Sequence, residues 1–229
     1  MEQVPLPAKE RLLYLMRLLE NAGISGNITS AQIENLTGWA SHTIRKDISY
    51  LGFIIDGETP AGTIGSAGGY DPAALVSLIR KALGLEKLRK FCVVGLGRLG
   101  SAYLNIPDLI GSEFELAAGF DTNVNRTEIL VSPAPLYPAY RIEELIRGLD
   151  IEIALLCVPA GAAQAAADKL VAAGIRGILN FAPVAITVPQ GIAVRNVCLV
   201  DDLRSLSIKI KNISFDRQVS DRQVREKSG

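Results

Sequence analysis

The sequence of 229 residues has few of the side chains on which many enzymes and metalloproteins depend. It contains one histidine, one tryptophan and three cysteines. The single histidine, His42, excludes a histidine pair, and the three cysteines include no C-x-x-C spacing. We therefore expect no metal site, no disulfide framework and no histidine-based catalytic relay.

Charge of one sign and long apolar runs are also lacking. The 24 basic side chains balance 24 acidic ones, and the first 90 residues hold ten and nine. Any contact with DNA must therefore come from local placement of cations. No apolar run reaches the roughly 18 residues that a membrane span needs, and the first ten residues are polar and proline-broken, unlike a signal peptide. These features predict a cytoplasmic globular protein.

The most informative motif is a glycine-rich segment that follows the apolar run 91–94. Its residues are Gly95, Leu96, Gly97, Arg98, Leu99 and Gly100. In this spacing the first glycine permits a tight turn, the second lets backbone N–H groups approach a pyrophosphate, and the third lets a helix pack closely. The pattern predicts a dinucleotide-binding turn; the alternative is a Rossmann-like domain that uses the turn only for packing.

Asp121 ends the next apolar run, 21 residues after Gly100. Its carboxylate can accept hydrogen bonds from the adenine-side ribose and would repel a 2′-phosphate, which favours NAD(H) over NADP(H). We interpret Arg126 as a solvated loop side chain, with contact to a 2′-phosphate as the alternative. Lys169, on a surface-type helix, is interpreted as solvated, and Tyr103 and Tyr137 as packing residues.

About 90 residues precede this motif, enough for a separate domain. Three helices are predicted in this domain. The first covers residues 10–21, the second begins at a Thr29–Gln32 capping box and ends at residue 36, and the third covers residues 41–51. The second and third helices form a helix-turn-helix. On the third helix Ile44, Ile48 and Leu51 form the inward stripe. The candidate DNA contacts on this helix are Ser41, His42, Thr43, Arg45, Lys46, Ser49 and Tyr50. The glycine-rich segment 52–69, with its β-prone residues 53–55, is typical of a wing.

The second half alternates strands and helices. Strands over 151–158 and 177–180, a further one over 193–196 and an alanine-rich helix over 160–173 predict a parallel sheet covered on both faces. A last helix over 201–213 carries apolar side chains that favour contact with another subunit. Residues 214–229 are interpreted as a solvated basic tail, with a phosphate-contacting arm as the alternative.

The predicted fold is therefore α/β. A winged-helix DNA-binding domain (residues 1–85) precedes a Rossmann-type NAD(H)-binding domain (86–200), a C-terminal helix (201–213) that favours contact with another subunit, and the tail (214–229).

The chain resembles the Rex redox-sensing transcriptional repressors from Arg11 to about Asn212. The segments that carry the resemblance are residues 11–15, 43–52, 69–70, 95–100, 120–121, 158–160, 177–183 and 194–197. The resemblance implies a homodimer with exchanged C-terminal helices that binds a palindromic operator through two winged-helix heads. It also implies that NADH favours an arrangement in which the heads no longer fit the operator, so occupancy follows the NADH/NAD⁺ ratio.

The resemblance adds further site residues. It implies cofactor contacts at Val158, Pro159, Asn180, Phe181, Ala182 and Pro183. The family's switch pairs an arginine, matched by Arg17, with a tyrosine and an aspartate, where this chain has Ile106 and Cys198; Leu199 is expected at the same dimer contact. The wing also lacks the basic residues typical of the family between Thr63 and Ala67.

Two alternatives remain open. One is a Rossmann-domain enzyme or a CoA-binding protein, although no lysine or tyrosine follows the fingerprint at positions suited to a proton relay. The other is a Rex-like paralogue with lost or altered switching, for which Ile106, Cys198 and the non-basic wing argue.

Overall fold

The computed structural model describes residues 4–54, 68–105 and 113–211. The chain divides into two compact units, Met1–Leu88 and Arg89–Gly229. Each unit has a buried apolar core of its own. In the described part of the chain no helix is long and apolar enough to span a membrane.

Four helices build the first unit: α1 (Leu6–Asn21), α2 (Ser30–Thr37), α3 (Ser41–Ile54) and α4 (Pro72–Leu83). α1 begins four residues before its predicted start because a proline is tolerated in the first helical turn, where its missing N–H has no helical acceptor. The predicted capping box before α2 is confirmed, with the Gln32 N–H donating to Thr29 Oγ1 at 3.2 Å and the Thr29 N–H donating to Gln32 Oε1 at 2.8 Å. Gly38 ends α2 in the left-handed region, at φ 74°.

The core of the first unit lies between these helices. The predicted inward stripe of α3 (Ile44, Ile48 and Leu51) is buried, and it joins apolar side chains of α1 and α4 such as Leu12 and Ile79. This packing fixes which face of α3 points to solvent.

The segment predicted as the wing differs at its start. Residues 53 and 54 continue α3 rather than forming β-structure, because adding one residue to an existing helix costs less than starting a new element. Residues 55–67 lie outside the described part, so the wing remains a prediction. Beyond them, Tyr70 forms an isolated antiparallel bridge with Ile28, each N–H donating to the other's carbonyl at 2.8 Å.

The second unit contains a parallel sheet, as predicted, and the sheet has six strands. Its strands are β1 (Arg89–Val94), β2 (Phe114–Asp121), β3 (Leu136–Pro138), β4 (Ile153–Leu156), β5 (Gly177–Asn180) and β6 (Ala193–Asn196), in the order β3-β2-β1-β4-β5-β6. This doubly wound order reverses between β1 and β4, so ligands of such sheets bind beyond the carboxyl ends of these two strands.

Helices cover the sheet unevenly. The helices are α5 (Arg98–Leu104), α6 (Val124–Ile129), α7 (Ile142–Gly148) and α8 (Ala160–Ala173), with a 3₁₀ turn at Ala139–Arg141. Side chains of α7 and α8 seal one face in a continuous core. Over the other face, an apolar groove of about 550 Å³ is lined by side chains such as Phe91, Phe114, Ile153, Leu155 and Leu179.

Residues 199–211 form a last helix, α9, in which every residue is exposed. Its exposed apolar side chains are Leu199, Val200, Leu203, Leu206, Ile208 and Ile210. The helix starts two residues before the predicted position because the Cys198 carbonyl accepts hydrogen bonds from the N–H groups of Asp201 and Asp202. Residues 212–213 and the tail 214–229 lie outside the described part.

Candidate functional site

The glycine-rich turn between β1 and α5 owes its shape to two of its glycines. Gly95 has φ 91°, and a Cβ there would lie 2.6 Å from the Cys157 carbonyl oxygen. A Cβ at Gly100 would lie 1.9 Å from the Gly95 carbonyl oxygen. Neither position accepts a side chain, so both glycines bring α5 and the end of β4 close to the turn.

Gly97 is different, because nothing lies within 4 Å of where its Cβ would be. Its φ of −70° is open to any residue. The packing of the protein therefore does not require a glycine here. The open space at Gly97 is what a bound pyrophosphate needs in order to reach the backbone N–H groups.

A cavity of about 560 Å³ opens over this turn, within the range usual for small-molecule sites. Seven predicted cofactor contacts line it: Gly95, Gly97, Leu99, Asp121, Val158, Pro159 and Phe181. The residues present fit an adenine dinucleotide, since an open glycine faces the cavity at the turn and a carboxylate lies at the end of β2.

The other six predicted contacts do not line the cavity. They are Leu96, Arg98, Gly100, Asn180, Ala182 and Pro183. Asn180 is fully buried, its amide nitrogen donates to the Val184 carbonyl and to Asn196 Oδ1, both at 2.8 Å, and its Oδ1 accepts the Ala182 N–H. These bonds shape the turn that presents Phe181, whose ring lies 4.9 Å from that of Tyr103.

Asp121 is only 4% exposed, and the protein holds its carboxylate in place. The Leu96 N–H donates to Oδ2 and the Asn123 N–H donates to Oδ1, both at 2.7 Å. Arg126 donates to Oδ2 at 3.2 Å. Since a carboxylate oxygen accepts two hydrogen bonds, Oδ1 retains capacity for a ribose hydroxyl.

Two cations line the same cavity, and both were interpreted from the sequence as merely solvated. Arg126 is half-exposed, but it forms an ion pair with Asp121. Lys169 is exposed and follows Ala162, Ala165 and Ala166 along one face of α8. The spacing i, i+3, i+4, i+7 of these four residues was the signal that predicts a shared face.

Two thiols belong to the sheet: Cys92 is buried in β1, and Cys157, directly after β4, is partly buried and lines the cavity. Burial raises the pKa of both Cys92 and Cys157 to about 12. Both are therefore neutral thiols at physiological pH. Among the described residues, no group of three or more histidine, cysteine, aspartate or glutamate side chains could hold a metal ion.

The candidate DNA-binding face lies on α3 of the first unit. His42, Arg45, Lys46 and Ser49 are exposed, while Ser41, Thr43 and Tyr50 are partly buried. Arg45 also donates to Ser30 Oγ at 3.4 Å. The structure thus brings all seven predicted contacts onto one helix, with the longer cations pointing to solvent.

Sequence reasoning missed the partner of Asp47, the only acidic residue of α3. Arg11 of α1 forms two hydrogen bonds with this buried carboxylate, from Nε at 2.6 Å and from Nη2 at 2.8 Å. The pair holds α3 against α1 and balances the negative charge beneath the exposed cations.

Glu34 of α2 holds the start of α3. The hydroxyl of Ser41 donates to its carboxylate, as does the Ser41 N–H at 3.2 Å, and these bonds lower the pKa of Glu34. Ser41 is therefore engaged as the first residue of the helix. A carboxylate at this position also complements the positive end of the helix dipole.

The predicted switch residues are described in part. Arg17 stands over the Tyr14 ring, 5.7 Å from its centroid, and Tyr14 packs against Trp39 at 5.4 Å. Cys198 is partly buried at the start of α9, and Leu199 is 71% exposed. Ile106 lies outside the described residues.

The chain is similar in sequence to one domain family and to several redox-sensing repressors. The family model described as "CoA binding domain" matches residues 86–184. The redox-sensing transcriptional repressor Rex of Thermus thermophilus is 40% identical over 92% of this chain and 95% of its own length. That of Ligilactobacillus salivarius is 36% identical over 90% of this chain and 94% of its own.

Two solved structures of the protein RSP are also similar to this chain. The structure of RSP in complex with β-NAD⁺ and operator DNA matches 96% of this chain and 98% of its own, with a TM-score of 0.81 and 28% identity. RSP in complex with β-NADH matches 96% of this chain and all of its own, with a TM-score of 0.80 and 28% identity.

Proposed function

Because the chain belongs to the Rex family of redox-sensing transcriptional repressors, we propose that it represses transcription by binding operator DNA and releases it on taking up NADH. The operator would be palindromic and the active form a homodimer. The proposal that the protein binds NADH depends on one observation, the cavity over the turn at Gly97, which Asp121 also lines.

The first unit supplies the contacts with DNA. The solvent face of α3 carries Arg45 and Lys46, and the ion pair between Arg11 and Asp47 leaves no unbalanced acid on that helix. A helix of this kind fits the major groove, where arginine reads guanine and lysine contacts phosphate. That RSP carries operator DNA supports the assignment.

The second unit supplies the cofactor contacts and the dimer contact. Its backbone at Gly97 would hold the pyrophosphate and Asp121 the adenosine ribose, while Phe181 closes the cavity beside Tyr103. The apolar side chains of α9 and the apolar groove on the sheet are both exposed. Covering the groove with the partner's α9 would bury both surfaces, which is the exchange proposed for the homodimer.

The coupling is a population shift between two arrangements of the dimer. Two heads that read half-sites about one helical turn apart fit DNA only in a narrow range of orientations. A bound cofactor can displace this equilibrium only through its different affinity for the two arrangements. We propose that the residues at the family's switch positions, Arg17, Ile106, Cys198 and Leu199, contribute to this difference in affinity. We further propose that the protein acts in the cytoplasm, where its operator DNA and its cofactor would both be present.

The test is the fluorescence anisotropy of a labelled palindromic operator fragment, titrated with the full chain alone, with NADH and with NAD⁺. We expect tight, salt-dependent binding that weakens at least tenfold with NADH and less with NAD⁺. An affinity for the operator that is the same with and without NADH would favour the alternative of a paralogue with lost or altered switching. Turnover of a hydride donor would support the enzyme alternative instead.

A further inference from the structure

A pair of aromatic rings connects the cofactor cavity with the apolar groove of the second unit. Phe181, directly after β5, lines the cavity but not the groove, and Tyr103 of α5 lines the groove but not the cavity. The centroids of the two rings lie 4.9 Å apart, with an angle of 39° between the planes. This distance is within the range of interacting aromatic pairs. Because packed side chains leave little free space, a displacement of either ring changes both spaces.

The backbone at Phe181 is held by hydrogen bonds. The Phe181 N–H donates to the Leu156 carbonyl at 2.9 Å, and the Ala182 N–H donates to Asn180 Oδ1 at 3.0 Å. The ring can therefore move only by rotation about its side-chain bonds, and the Tyr103 ring beside it restricts that rotation. Tyr103 thus holds the part of the cavity wall that Phe181 forms.

Tyr103 is itself held by packing rather than by charge. It is partly buried and packs against an apolar cluster that includes Leu96 of the glycine-rich turn and Leu104 of α5. Burial raises the pKa of its hydroxyl, so the side chain is neutral at physiological pH. Phenylalanine at this position would keep the contact between the rings, whereas leucine would remove it.

The topology of the sheet indicates which half of a dinucleotide lies beside Phe181. The strand order β3-β2-β1-β4-β5-β6 puts β2, which ends at Asp121, and β5, which precedes Phe181, on opposite sides of β1. In doubly wound sheets a dinucleotide lies across the crevice at the reversal of order, with its adenosine ribose at the acid that ends the second strand. The nicotinamide half therefore lies toward β4 and β5. This half carries the ring that differs between NADH and NAD⁺.

We propose that Tyr103 is a positioning residue for the cofactor and acts through Phe181. Tyr103 keeps the Phe181 ring against the nicotinamide half. Because Tyr103 also lines the apolar groove, it links that half to the helix that fills the groove, the partner's α9. The inference rests on the proposed function, and it names the residue pair through which the cofactor and the dimer contact affect each other.

The first test compares the affinities of the full chain for NADH and for AMP, which lacks the nicotinamide half. NADH is titrated by its own fluorescence and AMP by displacement of NADH. Because one aromatic contact is lost, Tyr103→Leu should weaken NADH binding about two- to tenfold and should change AMP binding less than about twofold. Tyr103→Phe keeps the ring and should bind both ligands as the parent does.

Two further variants test the route. Phe181→Leu removes the other ring and should weaken NADH binding in the same way. Tyr103→Leu in that background should add little, because its effect passes through Phe181. Tyr140→Leu is the matched control, since Tyr140 is 81% exposed and does not line the cavity. It should change the affinity for neither ligand.

The second test measures the link to the groove. The operator affinity of each variant is measured by fluorescence anisotropy without NADH and at saturating NADH, so that a weaker affinity for NADH itself does not affect the comparison. Tyr103→Leu should reduce the factor by which NADH weakens operator binding by about threefold or more, and Tyr103→Phe should keep that factor.

Three results would overturn the proposal. The first is an NADH affinity that falls no more than the AMP affinity in Tyr103→Leu. The second is a loss of NADH affinity in Tyr103→Phe as large as in Tyr103→Leu, and the third is an undiminished effect of NADH on operator binding in Tyr103→Leu. A parent protein that does not bind NADH would instead contradict the proposed function, so the two failures are distinguishable.

Discussion

Gly97 and Gly100 should respond in opposite ways to the same small change. Alanine at residue 97 places a methyl group in open space at an ordinary φ of −70°. The same methyl at residue 100 would lie 1.9 Å from the Gly95 carbonyl oxygen, and backbone must move to admit it. The two variants therefore separate the need of the ligand from the need of the fold.

The magnitudes follow from this geometry. Gly97→Ala should raise the free energy of unfolding by about 0.4–1 kcal/mol, because it restricts the unfolded chain without strain in the folded one. Its methyl group would stand between the backbone and the pyrophosphate. Loss of one charge-assisted hydrogen bond, about 1.5–3 kcal/mol, weakens NADH binding about 10- to 100-fold. Gly100→Ala should instead cost about 1–3 kcal/mol of stability.

The assay pairs urea denaturation with NADH titration for each variant. Gly148→Ala is the matched control, since Gly148 lies in α7, does not line the cavity and has nothing within 4 Å of its Cβ position. It should change NADH affinity by less than twofold. An unchanged NADH affinity in Gly97→Ala would show that the pyrophosphate does not approach this backbone, and a Gly100→Ala variant as stable as the parent would show that the turn tolerates a side chain there.

Three further predictions concern Arg45 on helix α3, the ion pair that anchors this helix, and the buried thiol of Cys92. Arg45→Ala should weaken operator binding by about 1–3 kcal/mol with NADH affinity intact, and an equal loss on random DNA in an anisotropy assay would mean that Arg45 contacts only phosphates. Arg11→Ala leaves the buried Asp47 without its partner and should destabilise the first unit by about 3 kcal/mol in urea denaturation; a change under 1 kcal/mol would contradict the pairing. Because burial raises the pKa of Cys92 to about 12, this thiol should remain unalkylated by iodoacetamide at pH 8 in the folded protein and react on unfolding. Fast modification of Cys92 in a mass-spectrometric time course would contradict its burial.

Much of the fold was predictable because local patterns and global packing agree. Gly95 and Gly100 make close backbone contacts that no other residue tolerates, and the structure contains those contacts. The inward stripe of Ile44, Ile48 and Leu51 is a helical period, so its burial follows from the sequence. Apolar strands without alternation likewise predicted the parallel sheet.

Pairings between distant residues were not predictable in this way. Arg11 and Asp47 lie 36 positions apart, and their ion pair depends on how α1 packs against α3. The hydrogen bonds between Ser41 and Glu34 require the turn that joins α2 and α3 to have a particular shape. Such contacts arise from tertiary structure, which a periodic pattern in one element does not contain.

The residues of the candidate site were likewise predictable only in part. The glycines of the turn were predicted because backbone geometry restricts their residue type, whereas Val158, Pro159 and Phe181 were expected only from the family resemblance. Arg126 and Lys169 were underestimated because a cation in a loop or on a helix surface is normally solvated. Only the register of α8, from Ala162 to Lys169, pointed to the cavity.

If NADH releases the protein from DNA, NADH and operator DNA must oppose each other's binding, and thermodynamic linkage makes this opposition measurable. The affinity of the full chain for NADH is determined by calorimetry, first alone and then with a saturating palindromic operator fragment. We expect the operator to weaken NADH binding by the same factor by which NADH weakens operator binding. An NADH affinity that is identical with and without the operator would contradict it.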